Sequence, residues 1–194
     1  DEMVDDQRLL SQQYDLLGSS RWPTNYNEVV IVVDEYNQIS DYLQFVLGLR
    51  SPSEVADAIV NGDKFAERTF TVDELLGVEY KVMTGSDYYH QNDDGTWNHV
   101  ADRDAQRTIE YVDANAVTVK VVGVIRPKKN VEVTSITGIV GYTKGLTEYL
   151  SERATSSPIA VAQAESPNRN VVNGDRIKET EYSRIMRELG VADM

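Results

Sequence analysis

With 194 residues, 41% of them hydrophobic, the chain is long enough to bury one core of ordinary domain size, or two lobes sharing one. Its 32 acidic and 19 basic side chains leave a formal charge of −13, which repels phosphate backbones and anionic lipid headgroups and argues against nucleic acid as a partner. Cysteine is absent, which excludes disulfides, thiolate metal sites and cysteine nucleophiles, and the aliphatic run Val29 to Val33 is far short of the roughly 20 residues that span a bilayer.

The chain opens at Asp1 without an apolar leader, which reads as a piece processed or excised from a longer protein. Leu9, Leu10, Tyr14 and Leu17 recur at helical spacing ahead of Gly18 and predict a helix over 6–17. Pro23, Asn25 and Asn27 mark a turn. Residues 28–34 read as a strand in which Val29 to Val33 present no polar face, the pattern of a central strand covered on both sides. Ser40 caps a helix to Leu49, with Tyr42, Phe45, Val46 and Leu49 on its apolar side. In "SPSE", Ser51 takes the cap, Pro52 the first helical position and Glu54 the third; Val55, Ala56, Ile59 and Val60 supply the buried stripe and Gly62 the stop. Thr71 and Glu74 form a second capping box, closed by Gly77, and a strand is expected around Thr69.

Residues 78–84 are the next predicted strand, and 87–104 the least regular segment, with an exposed turn at Asp94 and Gly95. Over 116–126, Val117, Val119 and Val121 alternate with Thr118 and Lys120 until the parity shifts at Val122, Gly123 and Val124, which predicts a bulge near Gly123. Pro127 ends this strand, and Val131 and Val133 read as its partner. A helix follows with Tyr142, Leu146, Tyr149 and Leu150 on one side. "SSP" at Ser156 to Pro158 starts another that Pro167 must end, and Tyr182, Ile185, Met186 and Leu189 mark a last one. "ESPNRNVVNGD" reads as a linker. The sum is an α+β fold, a mixed sheet with packed helices, with residues 1–174 as the core domain and 175–194 as a C-terminal helix.

Chemistry is sparse. His90 and His99, with Asp87, Asp93 and Asp94, are a candidate metal cluster, but their spacing is neither helical nor that of a zinc site, and an exposed polar loop is the alternative. The turn at Gly95 lacks the EF-hand order, with Ala101 where a glutamate is required. No serine sits in G-x-S-x-G or S-x-x-K, and "GYTKG" lacks phosphate-loop spacing and reads as a strand-to-helix turn. Asp34, Glu35 and Asp41 read as solvated surface. No catalytic residue, cofactor or metal ligand is therefore assigned. Tyr88, Tyr89 and Trp97 are the candidate partner surface, with packing beneath their loop as the alternative. The basic knot Arg126, Lys128 and Lys129 is expected to pair with acidic neighbours.

Three stretches carry a resemblance: G-x-x-R-W-P-x-x-x-x-E-V-V-I-V-V-D at Gly18 to Asp34, I-S-D-Y followed by L-G-L between Ile39 and Leu49, and V-V-G-V-I-R-P at Val121 to Pro127. Together with "GIVGYTKGLTEYLSER" at Gly138 to Arg153, their order and spacing resemble the large extracytoplasmic domain, the MacB-like periplasmic core, of FtsX-like ABC transporter permeases of Gram-positive type. The resemblance implies a non-catalytic extracellular domain on a membrane-embedded permease. Its transmembrane helices would couple a cytoplasmic ATPase subunit to export of a protein, peptide or small molecule, or to mechanical signalling, with a paired permease as the family expectation. Within these motifs Arg21, Pro23, Glu28 and Gly123 are read as scaffold: Pro23 restricts the turn and Arg21 pairs locally. A secreted ligand- or protein-binding module and a metal- or carboxylate-dependent hydrolase are the competing readings.

Overall fold

Asp6 accepts hydrogen bonds from the amides of Arg8 and Leu9 and starts α1 (Gln7–Gln13), but the helix stops four residues short of Leu17. The computed structural model describes residues 1–61, 68–100 and 105–177 of the chain. Tyr14–Leu16 leaves the helix as strand β1 for a long-range reason. The Tyr14 side chain is buried, and its hydroxyl donates to the Ile136 carbonyl (3.0 Å) and accepts from the Ile136 amide (2.9 Å). The turn through Pro23 leads into β2 (Glu28–Val32), as expected.

Ser40 caps α2 (Asp41–Val46) by accepting the Leu43 amide at 3.1 Å. The inward face differs from the expected stripe: Leu43 is fully buried and Leu47 nearly so, whereas Tyr42 is 68% exposed. Both faces are apolar in sequence, and packing against the sheet selects the i, i+4 leucine pair. Leu43→Ala is therefore expected to cost about 3 kcal/mol in denaturant unfolding, and Tyr42→Ala less than about 0.5 kcal/mol. Equal losses would overturn this orientation.

α3 (Pro52–Asn61) opens on the expected capping box, the Glu54 amide donating to Ser51 Oγ (3.2 Å) and the Ser51 amide to Glu54 Oε2 (2.8 Å). Of its expected stripe, Ala56 and Val60 are exposed, while the side chains of Val55 and Ile59 and the stop at Gly62 lie outside the described residues. Thr69 lies in an irregular connection, not a strand. The Thr71–Glu74 box caps α4 (Val72–Leu75), and β3 (Glu79–Val82) follows.

Residues 87–100, the described part of the segment expected to be irregular, are more ordered than their composition suggests. A 3-10 turn (Gly85–Tyr88) leads into the hairpin of β4 (Tyr89–Gln91) and β5 (Trp97–His99), with Gly95 in the left-handed region at its tip. α5 (Ala105–Asn115) has no counterpart in the sequence reading; Ile109, its apolar centre, is 56% exposed, so no inward stripe announced it. β6 (Val117–Pro127) is the long strand, followed by β7 (Val140–Tyr142) and α6 (Lys144–Thr155). Ser157 caps α7 (Pro158–Glu165), which ends before Pro167. The expected linker is closed on itself, the Ile177 amide donating to Asn168 and the Asn170 amide to Asp175. The stripe from Tyr182 to Leu189 lies outside the described residues.

The architecture is α+β, and the chain divides into two compact units. The first is Asp1–Met83 with Val112–Glu152, and the second is Thr84–Tyr111 with Arg153–Met194. The first holds a mixed five-stranded sheet ordered β1-β6-β2-β7, with β3 also on β6. β2 runs parallel to β6 and antiparallel to β7, so it is an interior strand. β6 meets β2 on one edge, and β3 and then β1 on the other. Val131 and Val133 thus find no free edge of β6; they form no strand, and Val133 is 81% exposed.

Alternate residues of β2 and its extension serve two cores. Val29, Ile31 and Val33 join Leu43, Leu75, Val119 and Leu146 on one face, and Val30 joins Tyr14, Trp22, Ile125 and Ile136 on the other. The expected bulge is present: Val29 pairs with Val121 and Val30 with Gly123, leaving Val122 as the extra residue. That one-residue shift keeps Val121 and Val124 on the same core face, which strict alternation would forbid. The second unit carries the β4/β5 hairpin and α7. There Asp87 accepts from Thr84 and from Arg153 (2.9 Å).

Candidate functional site

Four residues singled out from sequence occupy one neighbourhood at the entry to β2. The Arg21 guanidinium donates through Nη1 to Glu28 Oε2 (2.8 Å) and through Nη2 to Glu28 Oε1 (2.5 Å), a bidentate fork. Glu28 is buried and also accepts from the Thr24 amide (2.9 Å), the Asn25 amide (3.2 Å) and Asn25 Nδ2 (3.0 Å). Pro23 sits between Trp22, whose carbonyl accepts from Arg21, and Thr24. The Arg21 fork holds the Glu28 carboxyl far below the usual carboxylate range; burial opposes this, and the Thr24 and Asn25 donors reinforce it.

Gly123 completes the arrangement. The Arg21 amide donates to the Val122 carbonyl at 3.1 Å, drawing the turn against the bulge. A Cβ on Gly123 would stand 2.6 Å from the Arg21 carbonyl oxygen and 2.8 Å from Val30 Cγ1. The cluster therefore joins turn, bulge and central strand. Its two charges, Glu28 buried and Arg21 half-exposed, are engaged with each other, the arrangement of a clasp.

The aromatic segment behaves differently from the expected partner surface. Trp97 is 8% exposed, as the alternative of packing beneath the loop would have it. Tyr88 is exposed and stacks on His99 with ring centroids 5.6 Å apart, and Tyr89 meets the same imidazole edge-on at 5.0 Å. Tyr89 pairs with His99 and His90 with Asn98, so the two histidines point to opposite faces of the ribbon and share no metal position. Among the described residues no group of three or more histidines, aspartates or glutamates is arranged to hold a metal. Asp87 is taken up by Arg153, whose hydrogen bond with those of Thr84 outweighs burial and leaves its carboxyl below the ordinary range.

The first unit also contains a cleft of about 1200 Å³ beyond the carboxyl ends of the parallel pair β2 and β6. Leu17, Val33, Phe70, Val72, Leu75 and Val124 line its floor and walls, with Arg50, Arg68 and Arg126 among them. One wall is locked: Asp34 Oδ1 accepts the Tyr36 and Gln38 amides at 2.9 and 2.7 Å, and Asn37, in the left-handed region, accepts from Arg126 at 3.0 Å. Arg50 is buried, its Nε donating to Gln44 Oε1 at 2.9 Å. Arg68 donates to the Leu49 carbonyl and to Glu54.

Arg126 and Lys128 pair with Asp15, as the basic knot was expected to do, but the sequence reading placed no cleft beside them. The arginines come from positions 50, 68 and 126, and no local pattern joins residues so far apart. The one available signal was Arg50 standing between two helices, immediately before the Ser51 cap and close in sequence to Gln44, which holds it. Comparison with protein-family models, with curated proteins and with solved structures returned no match.

Proposed function

We propose that this chain is the non-catalytic extracellular domain of an FtsX-like ABC transporter permease with a MacB-like core, passing motion driven by a cytoplasmic ATPase to an extracellular substrate or partner. The observation that supports this best is the clasp: the residues carrying the resemblance, Arg21, Glu28 and Gly123, meet at the entry to β2, whose valines serve the cores on both faces of the sheet. A close-packed sheet whose interior strand is pinned at its entry moves as a unit and transmits displacement with little loss. The charged groups engaged there serve the scaffold, in keeping with a body that transmits work and leaves chemistry to the ATPase.

No helix among the described residues is long and apolar enough to cross a membrane, so the membrane part of such a permease must come from other segments of the gene product. The test is the complete reading frame and its complexes. Apolar spans of roughly 20 residues flanking this region, and co-purification of the full-length protein with an ATPase subunit, are the expected results. A full-length protein with no such span on either side overturns the proposal.

A further inference from the structure

We propose that the cleft beyond β2 and β6 binds a small amphiphilic carboxylate, a ligand with one carboxylate head and an apolar body. This inference rests on the cleft alone and is independent of the transporter reading. The lining brings three guanidinium groups, Arg50, Arg68 and Arg126, to one concavity, with Asp41 the one carboxylate among the described lining residues. In a chain of formal charge −13, a lining with more guanidinium than carboxylate groups stands out.

Guanidinium groups carry five donors each, and the hydrogen bonds of Arg68 and Arg126 occupy two apiece. Glu54 anchors Arg68, and Asp15 and the lining residue Asn37 anchor Arg126, while neither Glu54 nor Asp15 lines the cleft. Arg50 is buried in the wall and held by Gln44. An Arg fork matches a planar carboxylate, and Phe70, Val33, Leu75 and Val124 supply the surface for an apolar body. The volume is somewhat above the ~300–1,000 Å³ usual for small-molecule sites, so a ligand of dipeptide or medium-chain fatty-acid size fits with room for water.

The experiment titrates the protein with N-acetyl-Phe-Leu and with decanoate, each against its uncharged amide, following amide resonances by NMR and heats by calorimetry. Binding of at least one acid about tenfold tighter than its amide is expected, as one charge-assisted contact requires, with shifts at Val33, Phe70 and Val124. Which acid binds tells a peptide carboxylate from a fatty acid. Arg126→Gln and Arg68→Gln, each checked for an unchanged fold by its NMR spectrum, should weaken the acid several-fold and leave the amide unaffected. Acids and amides binding alike, no acid binding at millimolar concentration, or shifts confined to residues away from the cleft would overturn the proposal.

Discussion

Gly123→Ala is expected to lower stability by about 3 kcal/mol, roughly a 10 °C fall in melting temperature for a domain of this size. The added Cβ would stand 2.6 Å from a backbone oxygen, that of Arg21, which cannot swing aside as a flexible side-chain tip does. Relief requires the turn to lift from the bulge, breaking the Arg21 amide to Val122 hydrogen bond and loosening Trp22 from the second core. Gly85→Ala is the control, since a Cβ there meets nothing within 4 Å and the backbone is not in the left-handed region. It should change stability by less than about 0.5 kcal/mol. Equal melting temperatures for the two variants would remove the bulge from the account of rigidity.

Glu28→Gln is expected to cost about 2 kcal/mol at neutral pH, because the amide keeps the shape but loses the charge that both arms of Arg21 and the turn amides address. The loss is smaller than for a fully buried pair because the Arg21 side chain is 51% exposed and solvent screens it. The pH dependence follows from the direction of the shift. Glu28 titrates in the folded state far below its usual 4.5, so between those limits the unfolded chain binds more protons and stability rises with pH. The stabilisation is complete above about pH 5 and is lost as the pH falls below 4.5 toward the folded-state value. The gap in melting temperature between wild type and Glu28→Gln should therefore be constant from pH 6 to 8 and shrink on acidification. A gap unchanged down to pH 3 would show that the carboxylate is not what Arg21 and the turn recognise.

These two variants probe the same clasp from opposite sides, one by steric fit and one by charge. They share Arg21, so their effects should not add: the double variant is expected to lose less than the two single losses together.

What the sequence determined by itself is what short-range chemistry encodes. Five consecutive aliphatics have no polar side to give to water, so the segment from Val29 to Val33 is turned to the interior, with Val32 half-buried. The Ser51 and Thr71 boxes satisfy orphan helix amides within three residues, and the parity break at Val122 and Gly123 records a bulge in the strand's own alternation. The tertiary structure alone decided matters that turn on which surface arrives from elsewhere. Tyr14 left its helix because Ile136 supplied partners for its hydroxyl, and Val133 found no strand because β1 and β3 already held the edge of β6. α2 turned Leu43 inward and Tyr42 outward, though both faces were apolar. Trp97 became buried beneath its loop, and three arginines spread over 50–126 met in one cleft because a parallel strand pair ends there. Local hydrogen bonding and side-chain period act within a few residues and can be read along the chain, whereas burial and convergence depend on contacts between distant segments that only the folded chain creates.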